Sequence, residues 1–245
     1  MNKNDNRIDV GAVFKMVKQF FEQEEESHDG EANIPCFAID KLSLLRIACM
    51  GNAEKTIQGE LFRHLRCKHK LNAVIECGYR DFDDSFDRHI DIMVFDNDWS
   101  PIVSIELKHY SPHQGTINPL LGGLEADYNK PRPKGIPLIQ VGLYTEIDSV
   151  TPFPLQQQNY PLLQYYRFFM SYVLPRLEEL SISVMEKKYA ADKQAASTWA
   201  ETALQERRYS EITELFRGRV EEFKVASSTP LKVTGRVNWI AMLAS

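Results

Sequence analysis

Asp91, Glu106 and Lys108 stand on two successive segments, HIDIMVFD and PIVSIELKHY, that both read as β-strands. If these strands pair, two carboxylates and an amine meet at one edge of a sheet. Carboxylate oxygens are what a hard divalent cation prefers, and a cation held there lowers the pKa of bound water and stabilises charge gained by a phosphoryl group. Alternation along the strand sets Asp91 on the face opposite its apolar neighbours Ile90 and Ile92, and sets Glu106 and Lys108 together on one face. The register between the two strands then decides whether Asp91 stands beside Glu106. Without a cation, carboxylates that close repel, and at least one pKa rises.

Several elements must hold these residues in place. Val10, Val13, Phe14, Val17, Phe20 and Phe21 recur at helical spacing behind a capping Asp9, and the acidic stretch EQEEESHDGEAN that follows reads as a solvated linker. A second helix starts near Asp40 and ends at Gly51-Asn52. The next spans about Ala53 to Lys70, with Ile57, Leu61 and Leu65 on its apolar stripe and Glu60 at the border. The period then changes to that of strands through NAVIECGYR, HIDIMVFD and PIVSIELKHY. INPLLGGLEADYNK predicts a short helix, and IPLIQVGLYTEI a fourth, strongly apolar strand. Beyond Pro152, Pro154 and Pro161 the pattern predicts a mainly helical stretch from about Leu162 to Val225, within which Tyr160, Tyr165, Tyr166, Phe168, Phe169 and Tyr172 read as core. PLKVTGRVNWIAML then returns to a sheet.

This order, with Glu60 on the first helix of the core, Asp91 on the second strand and Glu106-Leu107-Lys108 on the third, resembles the PD-(D/E)xK nuclease superfamily. The resemblance covers roughly Ala53 to Ile147, and Ile90 stands where that family has its proline. It implies an α/β fold with a restriction-endonuclease-like mixed β-sheet core (α-β-β-β-α-β) flanked by helices. N-terminal helices over 1–52 would pack on the core at 53–150, and a mainly helical extension at 151–245 would end in a β segment. It further implies a catalytic Mg2+, or Mn2+, held by Asp91, Glu106 and the backbone carbonyl of Leu107. Lys108 would orient or deprotonate the attacking water, and Glu60 would support the metal from its helix. Asp127 and Lys130 are candidates for the polar residue that such proteins place on the following helix. The implied activity is hydrolysis of phosphodiester bonds, in DNA first, by a metal-activated water; the alternative is an inactive nuclease-fold module that binds nucleic acid or a protein partner.

An E-x-K tripeptide arises about once by chance in a chain of this length. The weight of this one comes from its setting, because a Glu and a Lys on an otherwise apolar strand are costly to bury without partners. A salt-bridged pair on a solvent-facing sheet would use the same residues. His109 and Lys130 are candidates to contact substrate, with His89 and His113 nearby, and Tyr110 and Tyr128 either stack on bases or pack in the core.

The formal net charge of −5 argues against a protein that coats nucleic acid nonspecifically, and leaves room for local basic clusters such as Arg63 to Lys70 or Lys130, Arg132 and Lys134. Cys36, Cys49, Cys67 and Cys77 include no CxxC pair, so neither a zinc ribbon nor a disulfide framework is indicated. No apolar run approaches the roughly 18 residues of a membrane span, and MNKNDNRIDV has no signal-peptide pattern, which predicts a cytoplasmic protein without membrane contact. Cutting both strands of a duplex with one site per chain calls for rebinding or a homodimer.

Overall fold

The computed structural model describes residues 8–22, 44–49, 53–78, 89–110, 116–130, 135–152, 169–179, 182–213, 218, 220–225 and 231–244. Residues 23–33 of the linker, His113, Arg132, Lys134 and the aromatic run from Tyr160 to Phe168 lie outside these residues.

Three helices lead the chain: α1 (Val10–Glu22), α2 (Leu44–Ala48) and α3 (Ala53–Arg63), the last running into a π-turn at His64–Lys68. The Asp9 carboxylate accepts the Ala12 N–H at 2.7 Å and so caps α1, as its position before the apolar stripe predicts. Then come β1 (Asn72–Gly78), β2 (His89–Phe95), β3 (Pro101–Tyr110), α4 (Asn118–Tyr128) and β4 (Leu138–Pro152). A π-helical turn at Phe169–Val173, α5 (Leu174–Glu179) and α6 (Ile182–Gln205) precede β5 (Glu211–Ile212), β6 (Val220–Val225) and β7 (Leu231–Ala244).

All seven strands form one mixed sheet in the order β1-β2-β3-β4-β7-β5, with β6 also paired to β7. β1, β2 and β3 make an antiparallel meander, β3 runs parallel to β4 across the α4 crossover, and β7 lies antiparallel to β4. The protein is thus a mixed α/β fold, a central sheet flanked by helices with a helical region towards its C-terminus.

Both faces of the central strands are buried, which is why β4 and β7 read as nearly unbroken apolar runs. Odd-numbered residues of β3, β4 and β7, among them Ile105, Leu107, Val141, Leu143 and Trp239, pack with Phe14 and Phe21 of α1, Leu45 of α2 and Ile57 and Leu61 of α3. Even-numbered residues, including Tyr110, Tyr144, Ile240 and Met242, pack with Leu120 and Leu124 of α4 and Ala196, Ala200 and Ala203 of α6. Each fully buried Leu, Ile or Phe in these layers contributes roughly 1.5–3 kcal/mol.

The helical stretch expected to reach Val225 stops at Gln205. Arg207 takes a left-handed conformation (φ 55°), and the N–H groups of Arg207 and Arg208 return to the carbonyls of Leu204 and Ala203. This is a Schellman stop, formed without the usual glycine and therefore silent in the sequence. The edge of β7 then recruits the residues beyond as strands β5 and β6. Tyr172 is exposed and belongs to no core.

Candidate active site

The hairpin between β2 and β3 sets the register on which the site depends. Asp96 Oδ1 accepts the N–H groups of Asp98 at 2.9 Å and Ser100 at 2.8 Å, and Trp99 completes the turn with φ 60°. The strands then pair as Val94↔Val103, Met93↔Ser104 and Ile92↔Ile105. One step further along this register Asp91 stands opposite Glu106.

There the two strands part. β2 stays paired with β1 as far as Gly78↔His89, whereas its ladder with β3 ends at Ile92↔Ile105. The edge of β3 beyond that point still carries N–H groups that need acceptors. Carboxylates supply them: Asp91 Oδ2 accepts from Leu107 N at 2.8 Å and Glu54 Oε2 from His109 N at 3.1 Å. In a strand the N–H and C=O of one residue point to the same side, so the Leu107 carbonyl also faces this opening. On its other edge β3 continues with β4 to Tyr110↔Tyr144.

Glu106 is the buried acid of the opening, 4% exposed. Burial, and then the charge of Asp91, push its carboxyl up to about 8 against the pull of Lys130, whose Nζ is 3.6 Å from Glu106 Oε2. Its other oxygen, Oε1, is buried and accepts no hydrogen bond from the described residues. Lys108 Nζ lies 3.0 Å from Asp127 Oδ2 and 4.0 Å from Glu54 Oε1. Burial alone would lower the Lys108 pKa, but Glu54, Asp127 and Asp91 together raise it, so this amine is an ammonium at neutral pH. Asp127, itself buried, also pairs with Lys130.

One glycine makes room for that lysine and another for the helix and strand that pack beside it. A Cβ on Gly123 of α4 would meet Lys108 Cδ at 3.3 Å. Gly142 pairs with Lys108 across β3 and β4, and a Cβ there would press on Leu124 and Ile240 at 3.0 Å. Gln140 opposite Glu106 donates to the Leu124 carbonyl at 2.8 Å and accepts from Tyr209 OH, fixing α4 over the sheet one turn before Asp127.

A third acid lies level with this pair. Glu76 sits between Ile75↔Ile92 and Cys77↔Ile90, opposite Asp91, in a left-handed conformation (φ 52°) that breaks the strand pattern. Its carboxylate takes the Lys55 ammonium and Gln58 Nε2 at 2.8 Å, and Lys55 above all holds its pKa below the usual range. Gln58 Nε2 also donates to the Asp91 carbonyl at 2.6 Å, and Lys55 Nζ is 3.8 Å from Asp91 Oδ1. The first turns of α3 therefore tie β1 to β2 beside the opening.

Not every expected residue takes part. Glu60 pairs with Arg63 one turn along. Two residues beyond Gln58 on a helix is about 200° of rotation, so Glu60 lies on the other border of the apolar stripe and does not share the contacts of Gln58 with Glu76 and Asp91. Glu54, six residues earlier, is the helix carboxylate that reaches β3, and its pKa is raised, chiefly by burial. The His109 ring turns to buried Thr145, Nε2 to Oγ1 at 3.0 Å, rather than outward. Lys130 is engaged with Glu106 and Asp127. Tyr110 is fully buried and stacked on Tyr144, so it packs rather than offering a face to a base.

The donor set suits a hard cation. Asp91, Glu106 and the Leu107 carbonyl put oxygen donors at one opening, and Glu106 Oε1, which has no hydrogen-bond partner among the described residues, is the atom such an ion would satisfy. Among the described residues no group of three His, Cys, Asp or Glu is arranged to hold a metal. No helix among the described residues is long and apolar enough to cross a membrane. No family model, curated protein or solved structure matches the chain.

Proposed function

We propose that this protein is a metal-dependent nuclease of the PD-(D/E)xK type, with a restriction-endonuclease-like core, that hydrolyses phosphodiester bonds in nucleic acid, DNA first. The observation that carries the reading is the parting of β2 from β3 at the level where Asp91 meets Glu106, with Lys108 two residues on and Glu106 Oε1 lacking a donor. The order α3-β1-β2-β3-α4-β4 supports it.

Asp91, Glu106 and the Leu107 carbonyl would hold Mg2+ or Mn2+, which when bound supplies a more acidic water and charge stabilisation at phosphorus. Lys108, held as an ammonium by Asp127 and Glu54, donates a hydrogen bond to the nucleophile or to a phosphate oxygen and does not act as the base. Glu54 takes the helix position expected of Glu60, holding β3 open at His109 and biasing Lys108. Asp127 orients Lys108 and Lys130 together.

One observation favours a second reading, a module of this fold that binds nucleic acid or protein without cutting. Lys130 already stands 3.6 Å from Glu106, where a cation would sit, and Lys108 is engaged by a buried carboxylate, which is how a retired site would settle its charges. Incubation of the purified protein with plasmid DNA, and separately with RNA, in Mg2+ or Mn2+ distinguishes the two. Cleavage abolished by EDTA and by Lys108→Ala supports the nuclease. Cleavage unchanged by both refutes the site, and no cleavage of either substrate selects the binding module.

A further inference from the structure

A second cluster of ligating side chains lies at the opposite end of α3. His64 opens the π-turn and His69 follows it, and the His69 N–H bonds the His64 carbonyl at 3.3 Å, a five-residue step. The wider π-turn brings residues five apart onto one face, which an α-helix does for residues four apart. Here it brings the two imidazoles together, with Nε2 to Nε2 at 3.1 Å.

We propose that His64 and His69 form a chelate for one divalent transition ion of the imidazole-preferring kind, Zn2+, Ni2+ or Cu2+, separate from the carboxylate opening. Tetrahedral zinc with Zn–N bonds of about 2.0–2.1 Å sets its nitrogens about 3.3 Å apart, so the present separation is within about 0.3 Å of what one ion needs, and each ring must also turn by about 35° to aim its lone pair at the ion instead of at the other nitrogen. The tautomer is already right at His64, whereas His69 donates to it through Nε2–H and must move that proton to Nδ1 to bind an ion. His64 hydrogen-bonds the backbone of Met16 on α1, and because its Nε2 faces His69 that bond belongs to Nδ1–H. A ligand histidine held by a backbone carbonyl through its other nitrogen is the usual support for a metal site. Burial first, and then His69 and Lys68, keep His64 neutral, with its pKa lowered to about 4, so the Nε2 lone pair is available at physiological pH.

Phe20 packs edge-on against His64 and fixes the ring's plane. Solvent completes the coordination, since the described residues offer no third ligand of the metal-binding types. Imidazole nitrogens are poor ligands for Mg2+ and favour ions that bond nitrogen strongly. Binding would fix the π-turn that ends α3.

The test uses the full chain carrying Glu106→Gln, which keeps zinc off the carboxylate opening, and titrates it with Zn2+ at about pH 7.5 by calorimetry. The expected result is saturation at one ion per chain, about tenfold or more weaker when His69→Ala is added. Long-range imidazole 15N spectra should show both Nε2 signals moving with zinc while His64 Nδ1 keeps its proton. If His69→Ala does not fold, His69→Gln, which retains a donor for His64, takes its place. Equal zinc affinity with and without His69, or no saturable binding at all, overturns the proposal and leaves a hydrogen-bonded pair only. Neither result depends on whether the chain cuts nucleic acid.

Discussion

Glu106→Gln should stabilise the cation-free protein, and by an amount that grows with pH. The Glu106 carboxyl stands at about 8 in the folded chain against 4.5 for an ordinary glutamate, for reasons of burial first and then Asp91. Between those values the folded state keeps a proton that the unfolded state has released. Stability contributed by this group is therefore complete below the unfolded value and lost as pH rises towards the folded one. The slope is about 1.4 kcal/mol per pH unit, so wild type loses roughly 3 kcal/mol through this residue between about pH 5.5 and 7.5. Glutamine has the shape of the protonated acid and no proton to lose. Urea denaturation of both proteins in EDTA should show the variant gaining on wild type by roughly 3 kcal/mol across that range, with unchanged m-values. Saturating Mg2+ should then raise wild type and leave the variant where it was. A stability difference that stays flat from pH 5.5 to 7.5 would refute the reasoning, because it would mean that Glu106 is already ionised throughout.

Glu54→Ala should lower Mg2+-dependent cleavage by about 100-fold, since it removes the acceptor of the His109 N–H and a partner of Lys108, while Glu60→Ala should change it less than about twofold. Initial rates on plasmid DNA compare the two. Asp127→Ala leaves Lys108 and Lys130 without their buried counter-charge and should cost about 3–5 kcal/mol in chemical denaturation as well as most of the activity. Asp192→Ala should destabilise the fold by about 3 kcal/mol, because that buried carboxylate accepts from Ile117 N at 3.0 Å, Tyr144 OH at 2.8 Å and Lys188 Nζ at 2.9 Å; amide exchange at the start of α4 should rise with it.

What the sequence reveals of this site follows from periodicity. Two-residue alternation sets Asp91 apart from Ile90 and Ile92 and sets Glu106 with Lys108, and those placements depend only on the pleat. The order of strands and helices from Ala53 to Ile147 is legible for the same reason. Helix residues are harder, because a 3.6-residue period says which face is apolar and not how far along a neighbouring strand the helix lies. Glu60 and Glu54 both border the stripe of α3, and only the place where β2 leaves β3 selects Glu54. Glu76 hides inside NAVIECG, which reads as an ordinary strand, because a left-handed residue there carries no glycine or asparagine to announce it. Asp192 joins Ile117 across 75 residues, a partnership made by tertiary packing and invisible to any local pattern.

The central claim is that the parting of β2 from β3 lets Asp91 and Glu106 share one cation. A crystal soaked in Mn2+, with anomalous data collected near the manganese edge, tests it without reference to substrate. A peak bonded to oxygens of both Asp91 and Glu106 and to the Leu107 carbonyl is the expected result, with no such peak in Asp91→Asn. A manganese bound elsewhere, or Asp91 and Glu106 still engaged by Lys55 and Lys130 in place of the metal at saturating Mn2+, would contradict it.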